Sequence, residues 1–241
     1  MQSLRYKKMI YLDCYPSFGQ DDCAALRCLV RKIAKPDCRI LEVGSWLGTG
    51  STRVILDELS SISGSKLYCV DTWKGSPNVI RHQQIVEEYD VLSTFRHNVK
   101  EACADNLVCQ LIMTSRDAAA IIADTQFDLI FIDGDHSYAQ TNEDIAMWRQ
   151  KIRKGGILCG HDCECRPVGL LRERILAARD VDSIDGDGSS FLAIHPGVVI
   201  AVQDAFEGKA HLWAEDTLTR ADGSRGRATI WDVTLSDGDL A

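Results

Sequence analysis

The sequence predicts an α/β fold: a doubly wound, mostly parallel sheet with helices on both faces and an antiparallel hairpin at its C-terminal end. Three observations carry this. Strand-length apolar runs alternate with stretches of helical apolar spacing five times along 241 residues. The run Phe127 to Asp133 is almost unbroken in its apolarity, as a central parallel strand should be. Near the end, His211 to Glu215 and Ala228 to Thr234 flank the turn sequence Ala221-Asp222-Gly223-Ser224. No internal repeat or composition break divides the chain, so 1–241 is read as a single domain. It carries an N-terminal helical appendage (1–37) and a polar, interrupted insertion (163–195).

Composition narrows the function classes. A net charge of −8 argues against a nonspecific nucleic-acid partner, which would show a basic face. No apolar stretch reaches the roughly 18 residues a membrane span needs. The first ten residues are too short in apolar content for a signal peptide. Ten cysteines are scattered, without a CxxC pair, and several fall inside strands (Cys69, Cys109, Cys159). That pattern suits reduced thiols in a cytoplasmic protein. Cys163 and Cys165 follow His161 and Asp162, but C-x-C is not usual zinc spacing.

In order, Ala24 to Ile33 form a helix with one apolar face, which covers the sheet edge or a cofactor. Arg39 to Val43 is the first strand. Glu42-Val43-Gly44-Ser45-Trp46-Leu47-Gly48-Thr49-Gly50 then turns into a helix from Ser51 to Ser60. Such a turn presents backbone N–H groups at the carboxyl end of a strand, where open α/β sheets bind ligands. The glycine order is neither the dinucleotide fingerprint G-x-G-x-x-G nor a phosphate-binding P-loop. Lys66 to Val70 is the second strand and ends at Asp71, whose two carboxylate oxygens suit a pair of ribose hydroxyls. Trp73 is placed either on an adenine ring or in the core.

The stretch from Trp73 to Gln84 is irregular and long for a turn, as a substrate border would be. Ile85 to Ala102 reads as one helix. Leu107 to Met113 is the third strand. It leads into Thr114-Ser115-Arg116-Asp117, where Ser115 and Asp117 are candidates for a nucleobase contact and Asp117 equally for a helix cap. The fourth strand delivers Asp133-Gly134-Asp135-His136. Tyr138 to Ile152 forms a helix ended by Lys154-Gly155-Gly156, and the fifth strand, Ile157 to Cys159, delivers Gly160-His161-Asp162. Val168 to Ala178 and Pro196 to Phe206 are further helices. The acids at 180, 182, 185 and 187 lack the closing Glu of a calcium loop and read as turns.

Adjacent fourth and fifth strands bring Asp133, Asp135, His136, His161 and Asp162 to one rim. Carboxylates gathered there would repel unless a cation sat among them, and oxygen-rich ligands suit Mg²⁺ or another hard divalent ion. Helix caps and ordinary loop acids are the bland alternative.

Together the Gly-rich turn, Phe131-Ile132-Asp133-Gly134-Asp135-His136 and Gly155-Gly156-Ile157-Leu158-Cys159-Gly160-His161-Asp162 resemble class I S-adenosylmethionine (SAM) methyltransferases, with their Rossmann-like sheet. The subfamily includes metal-dependent O-methyltransferases of macrolide sugars and bacterial relatives. The resemblance covers residues 38–162 well and the remainder more loosely. It implies a methyl transfer from SAM to a hydroxyl of a small molecule, such as a natural product. Glu42, Gly44, Ser45, Gly48, Gly50, Asp71, Trp73, Ser115, Asp117 and Asp133 would hold the cofactor. Asp133 and Asp162 would hold Mg²⁺, with His161 standing where some relatives have an acid, and His136 would be the base beside Asp133. A metal-independent methyltransferase and a non-catalytic SAM-binding protein use the same residues. A homo-oligomer is compatible with the sequence.

Overall fold

In the computed structural model the chain is described at Lys7 and over residues 18–77, 79–186, 191–220 and 222–236. Residues 1–6 and 8–17 of the predicted appendage lie outside that set. The elements in order are α1 (Gln20–Ile33), β1 (Arg39–Val43), α2 (Ser51–Leu59), β2 (Lys66–Asp71), α3 (Ile80–Glu88), α4 (Val91–Glu101), β3 (Val108–Ile112) and α5 (Ser115–Ile121). Then follow β4 (Phe127–Ile132), α6 (Tyr138–Arg149), β5 (Ile152–Gly160), α7 (Gly169–Ala177), β6 (Ile184–Asp185), β7 (Ala193–Ile194) and α8 (Pro196–Phe206). The chain closes with β8 (His211–Leu212), β9 (Leu218–Thr219), β10 (Arg225–Gly226) and β11 (Trp231–Thr234).

Seven strands form one sheet in the order β3-β2-β1-β4-β5-β11-β8. β1 to β5 are parallel, and β11 runs antiparallel to both β5 and β8. The strand order reverses between β1 and β4, so a crevice opens at their carboxyl ends. Buried apolar side chains pack on each face: Leu26, Leu29, Ile55, Leu59 and Phe95 on one, Trp148, Val198, Val199, Val202 and Trp231 on the other. Among the described residues no helix is long and apolar enough to cross a membrane.

Three local readings are corrected. The helix expected over 85–102 is two, because Asp90 interrupts it and caps α4: its carboxylate accepts the Ser93 N–H at 2.9 Å. Gly155 and Gly156 do not end α6. They lie inside β5, where the register with β4 shifts between Phe127 and Leu129 and Gly155 has φ +73°. The expected turn, whose Ala221 lies outside the described residues, falls within the small β9–β10 ladder, while the outer pair β8–β11 joins the main sheet.

Candidate active site

Gly44 ends β1 with φ +87°, and a Cβ there would lie 1.8 Å from the Asp133 carbonyl oxygen. The glycine therefore lets the ends of β1 and β4 meet, rather than clearing room for a ligand. Glu42 is buried beneath the turn. Its carboxylate accepts hydrogen bonds from Ser45, Ser51 and Thr52, each at 2.6 Å. With no cation nearby, burial pushes its carboxyl up to about 7 despite those three donors. Glu42 and Ser45 thus hold the turn closed and do not line the cavity above it. Gly48 and Gly50 face Phe95 and Phe18.

That cavity has a volume of about 600 Å³ and sits at the carboxyl ends of β1, β2, β3 and β4. Gly44, Trp46, Asp71, Gly75, Ser76, Pro77, His82, Ser115, Arg116, Asp133, Asp135, Gln140 and Asp144 are in its wall. The volume is within the usual range for small-molecule sites. Asp71 accepts the backbone N–H of Trp46 at 2.8 Å on one oxygen and that of Trp73 at 2.6 Å on the other. Burial raises its pKa against those bonds.

Trp73 is a correction. It is buried against Phe95, and its indole N–H donates to the Trp46 carbonyl at 2.8 Å. The tryptophan in the wall is Trp46, stacked on His82 with ring centroids 4.7 Å apart. Both tryptophans have positive φ, 43° for Trp46 and 52° for Trp73, which turns their side chains against the sense a strand-end pattern suggests. Asp117 is a second correction. Its N–H donates to Thr114 Oγ1 at 3.1 Å and its carboxylate accepts the Thr114 hydroxyl at 2.7 Å, so it completes the start of α5 away from the cavity. Ser115 does reach the wall, where its hydroxyl donates to Asp144 and accepts the Trp148 indole N–H at 2.8 Å. Burial raises Asp144 to about 6. Sequence pattern placed Asp144 only within a helix.

Beside the cavity the ends of β4 and β5 form a second region. Asp162, at φ +61°, is ringed by imidazoles: His136 Nε2 at 3.1 Å, His161 Nδ1 at 3.2 Å and His195 Nδ1 at 3.4 Å. Burial would raise its pKa, but His161, His195 and His136 together hold it well below the carboxylate range. His161 also lies 3.6 Å from Asp133 and 3.6 Å from Asp22 of α1, and its buried Nε2 has no hydrogen-bond partner. His136 sits between Asp162 and Asp182, the latter 2.9 Å from Nδ1. Burial opposes its charge, yet Asp162, then Asp182 and Asp133, outweigh that and raise its pKa well above the ordinary value.

His136 is also not in the wall of the large cavity, contrary to the exposure expected of a base. Asp182 and His195 were missed because they reach His136 and Glu164 across 46 and 31 residues with no local spacing to mark them, and Glu164, just past Asp162 in sequence, was missed with its partner His195. Cys163 is buried and, with Cys165, belongs to neither group of side chains able to hold a metal.

Asp133, His161 and Asp162 offer ligand atoms within 4.8 Å of one another. A void of about 10 Å³ lies among Asp133, His136, His161 and Asp162, the size of a single atom or water. The void and the donor set fit a divalent ion.

Residues 41–163, a little over half of the chain, match a family described as a methyltransferase domain. The solved O-methyltransferase from Bacillus cereus in complex with SAH is 18% identical, with 92% of this chain and 84% of that one covered and a TM-score of 0.55. TomG, an O-methyltransferase from Streptomyces achromogenes involved in tomaymycin synthesis and solved with SAM, is 14% identical over 91% and 82%, at TM-score 0.57. Cofactor-bound Rv0187 from MTB is 16% identical over 93% and 84%, also at 0.57. At such identities they share the fold. No curated protein matches the sequence.

Proposed function

The chain belongs to this methyltransferase-domain family, and on that premise we propose that it transfers a methyl group from SAM to a hydroxyl of a small molecule. Charge supports the choice of donor. Asp71, Asp133, Asp135 and Asp144 are in the cavity wall, against Arg116, whose guanidinium is paired with Glu143. A dinucleotide's phosphates would be repelled there. SAM, with a sulfonium and an ammonium against one carboxylate, is attracted. Each Asp71 oxygen accepts one backbone N–H and keeps a lone pair for a ribose hydroxyl.

One observation carries the acceptor side: Asp133 lies in the wall of both the large cavity and the small void. Methyl transfer is an in-line displacement in which the C–S bond breaks as the C–O bond forms, so donor and acceptor must be aligned. In our reading Asp133 aligns the acceptor hydroxyl and receives its proton. An ion on Asp133, His161 and Asp162 would supply acidification of a bound hydroxyl; for water on zinc the fall is from about 15.7 to about 7. His136, held between two carboxylates, is not assigned as the base. The acceptor class we favour is a hydroxylated natural product, by likeness to TomG. Among the described residues the cysteines are free thiols, which fits a cytoplasmic location.

The test is methyl transfer from labelled SAM to a panel of glycosides and phenols, with and without EDTA, in wild type and Asp133→Asn. Loss of turnover on chelation supports the metal-assisted reading, and full activity in EDTA supports a metal-independent transferase. Tight SAM binding with no turnover on any acceptor would favour a non-catalytic binding protein.

A further inference from the structure

The segment after β2 closes one end of the large cavity around His82, a side chain the methyl-transfer reading leaves without a role. His82 lies in the first turn of α3, a helix with no buried residue, and is in the cavity wall with Trp46, Gly75, Ser76 and Pro77. Its ring is fixed on two sides: Nδ1 accepts the Ser76 N–H at 3.4 Å, and one face stacks on Trp46 at an interplanar angle of 28°. Trp46 is held by its own backbone, whose N–H donates to Asp71 and whose carbonyl accepts the Trp73 indole N–H. Gly75 lets the chain pass this stack. It has φ +69°, and a Cβ there would lie 2.8 Å from the His82 Cβ and 3.4 Å from the Trp46 ring. The Ser76 carbonyl is already used within the segment, accepting from Gln83 at 2.9 Å and from the Val79 N–H at 3.2 Å. His82 Nε2, by contrast, has no hydrogen-bond partner among the described residues. Burial, with the His136 charge nearby, lowers the His82 pKa, so the ring is neutral near pH 7. A neutral imidazole whose Nδ1 accepts carries its proton on Nε2, which is then a donor. Asp133 acts on the same ring electrostatically, so His82 stands on the side of the residue assigned to the acceptor hydroxyl.

We propose that His82, backed by Trp46, binds the methyl acceptor: Nε2–H donates to an acceptor oxygen, and the ring pair selects a flat phenolic acceptor over a glycoside. This rests on the methyl-transfer reading above. Stacked rings favour a further planar ring in offset or edge contact. A glycoside presents hydroxyls around its whole rim, and backbone groups already paired within the segment do not satisfy them. An acidic acceptor is repelled by Asp71, Asp133, Asp135 and Asp144 in the same wall. A phenol's one hydroxyl can give its proton to Asp133 while accepting from His82 Nε2.

The probes are 2-naphthol and methyl β-glucoside, titrated by calorimetry into the EDTA-treated complex of full-length protein with SAH, where no turnover occurs. Wild type should bind 2-naphthol about tenfold or more tightly than the glucoside. His82→Ala should weaken 2-naphthol by about tenfold, and His82→Gln, which keeps a donor near the Nε2 position, should recover part of that loss. SAH affinity should stay within about threefold in both variants, which also shows that they fold. No binding of 2-naphthol, equal affinity for the two probes, an unchanged 2-naphthol affinity in His82→Ala, or no recovery in His82→Gln overturns the assignment. A loss of SAH affinity in both variants places His82 on the cofactor and overturns it too. Failure of wild type to bind SAH, seen before either probe is added, removes the methyl-transfer reading and this inference with it. A crystal of the wild-type complex with SAH and 2-naphthol is independent of any variant's folding. A naphthol oxygen within hydrogen-bond distance of His82 Nε2 supports the site, and a ring bound elsewhere overturns it.

Discussion

Two groups of buried carboxylates flank the same rim and are neutralised in opposite ways. Under the turn after β1, Glu42 meets three hydroxyls and the Cys69 thiol, while Asp71 meets backbone N–H groups and Asp144 a serine and a glutamine. Their pKa values rise, Glu42 to about 7 and Asp144 to about 6, with burial as the leading cause. At the ends of β4 and β5, Asp162 meets three imidazoles and its pKa falls, while those of His136 and His161 climb well above their ordinary value. Burial is common to both regions, so the partner decides the sign. In the first region no cation is hydrogen-bonded to Glu42, Asp71 or Asp144, which suits a positively charged cofactor. In the second the carboxylates raise the pKa values of the imidazoles, which favours their cationic forms.

The largest effect should come from the contact that joins the two regions. Gly44→Val puts a Cβ against the Asp133 carbonyl at a backbone conformation valine resists. We expect a loss of about 4 kcal/mol or more, a fall in Tm on the order of 10 °C, read by thermal unfolding. A near-native Tm would mean that the ends of β1 and β4 are not locked together.

Next, Asp162→Asn should destabilise the chelated protein by about 3 kcal/mol near pH 6. The histidines' folded pKa values are raised, so their stabilisation is complete below about 6.5 and is lost as pH rises through the folded values. The penalty should therefore shrink in alkali. Urea titrations across pH check this, and a penalty that grows with pH would break the distinction between the regions.

Glu42 should show the reverse sensitivity of a cation-free carboxyl. Its folded pKa is about 7 against a reference of 4.5, so the folded state holds the extra proton between those values. Stability then falls as pH rises through that window. Glu42→Gln should flatten the decline, measured as Tm against pH, and an unchanged slope would show that another group causes it. The smallest effect is expected for Asp117→Ala, about 1 kcal/mol of stability from the weakened start of α5, with SAM affinity unchanged by calorimetry. A large loss of affinity would restore Asp117 to the cofactor site.

The regions also differ in how legible they were. The first is local. Glu42, the glycines and the helix start lie within one strand–turn–helix stretch, and Asp71 ends the next strand, so spacing revealed them together. What spacing could not reveal was direction: Trp73 is in the core and Trp46 is in the cavity wall, and both have positive φ. In the second region Asp133, His161 and Asp162 were legible as strand-end residues. Asp182 and His195 were not, since they reach His136 and Glu164 across 46 and 31 residues of irregular chain. The break at Asp90 and the strand glycines Gly155 and Gly156 depend on capping and register, which apolar periodicity does not record.

The most direct measurement is calorimetric titration of SAM into EDTA-treated wild type, Asp162→Ala and Asp71→Asn. Asp71→Asn loses one charged acceptor in the cavity wall and should weaken SAM by about tenfold or more. Asp162→Ala should bind SAM within about threefold of wild type, because it alters only the imidazole-ringed region. Absence of SAM binding by wild type, or equal affinity in wild type and Asp71→Asn, would contradict the account.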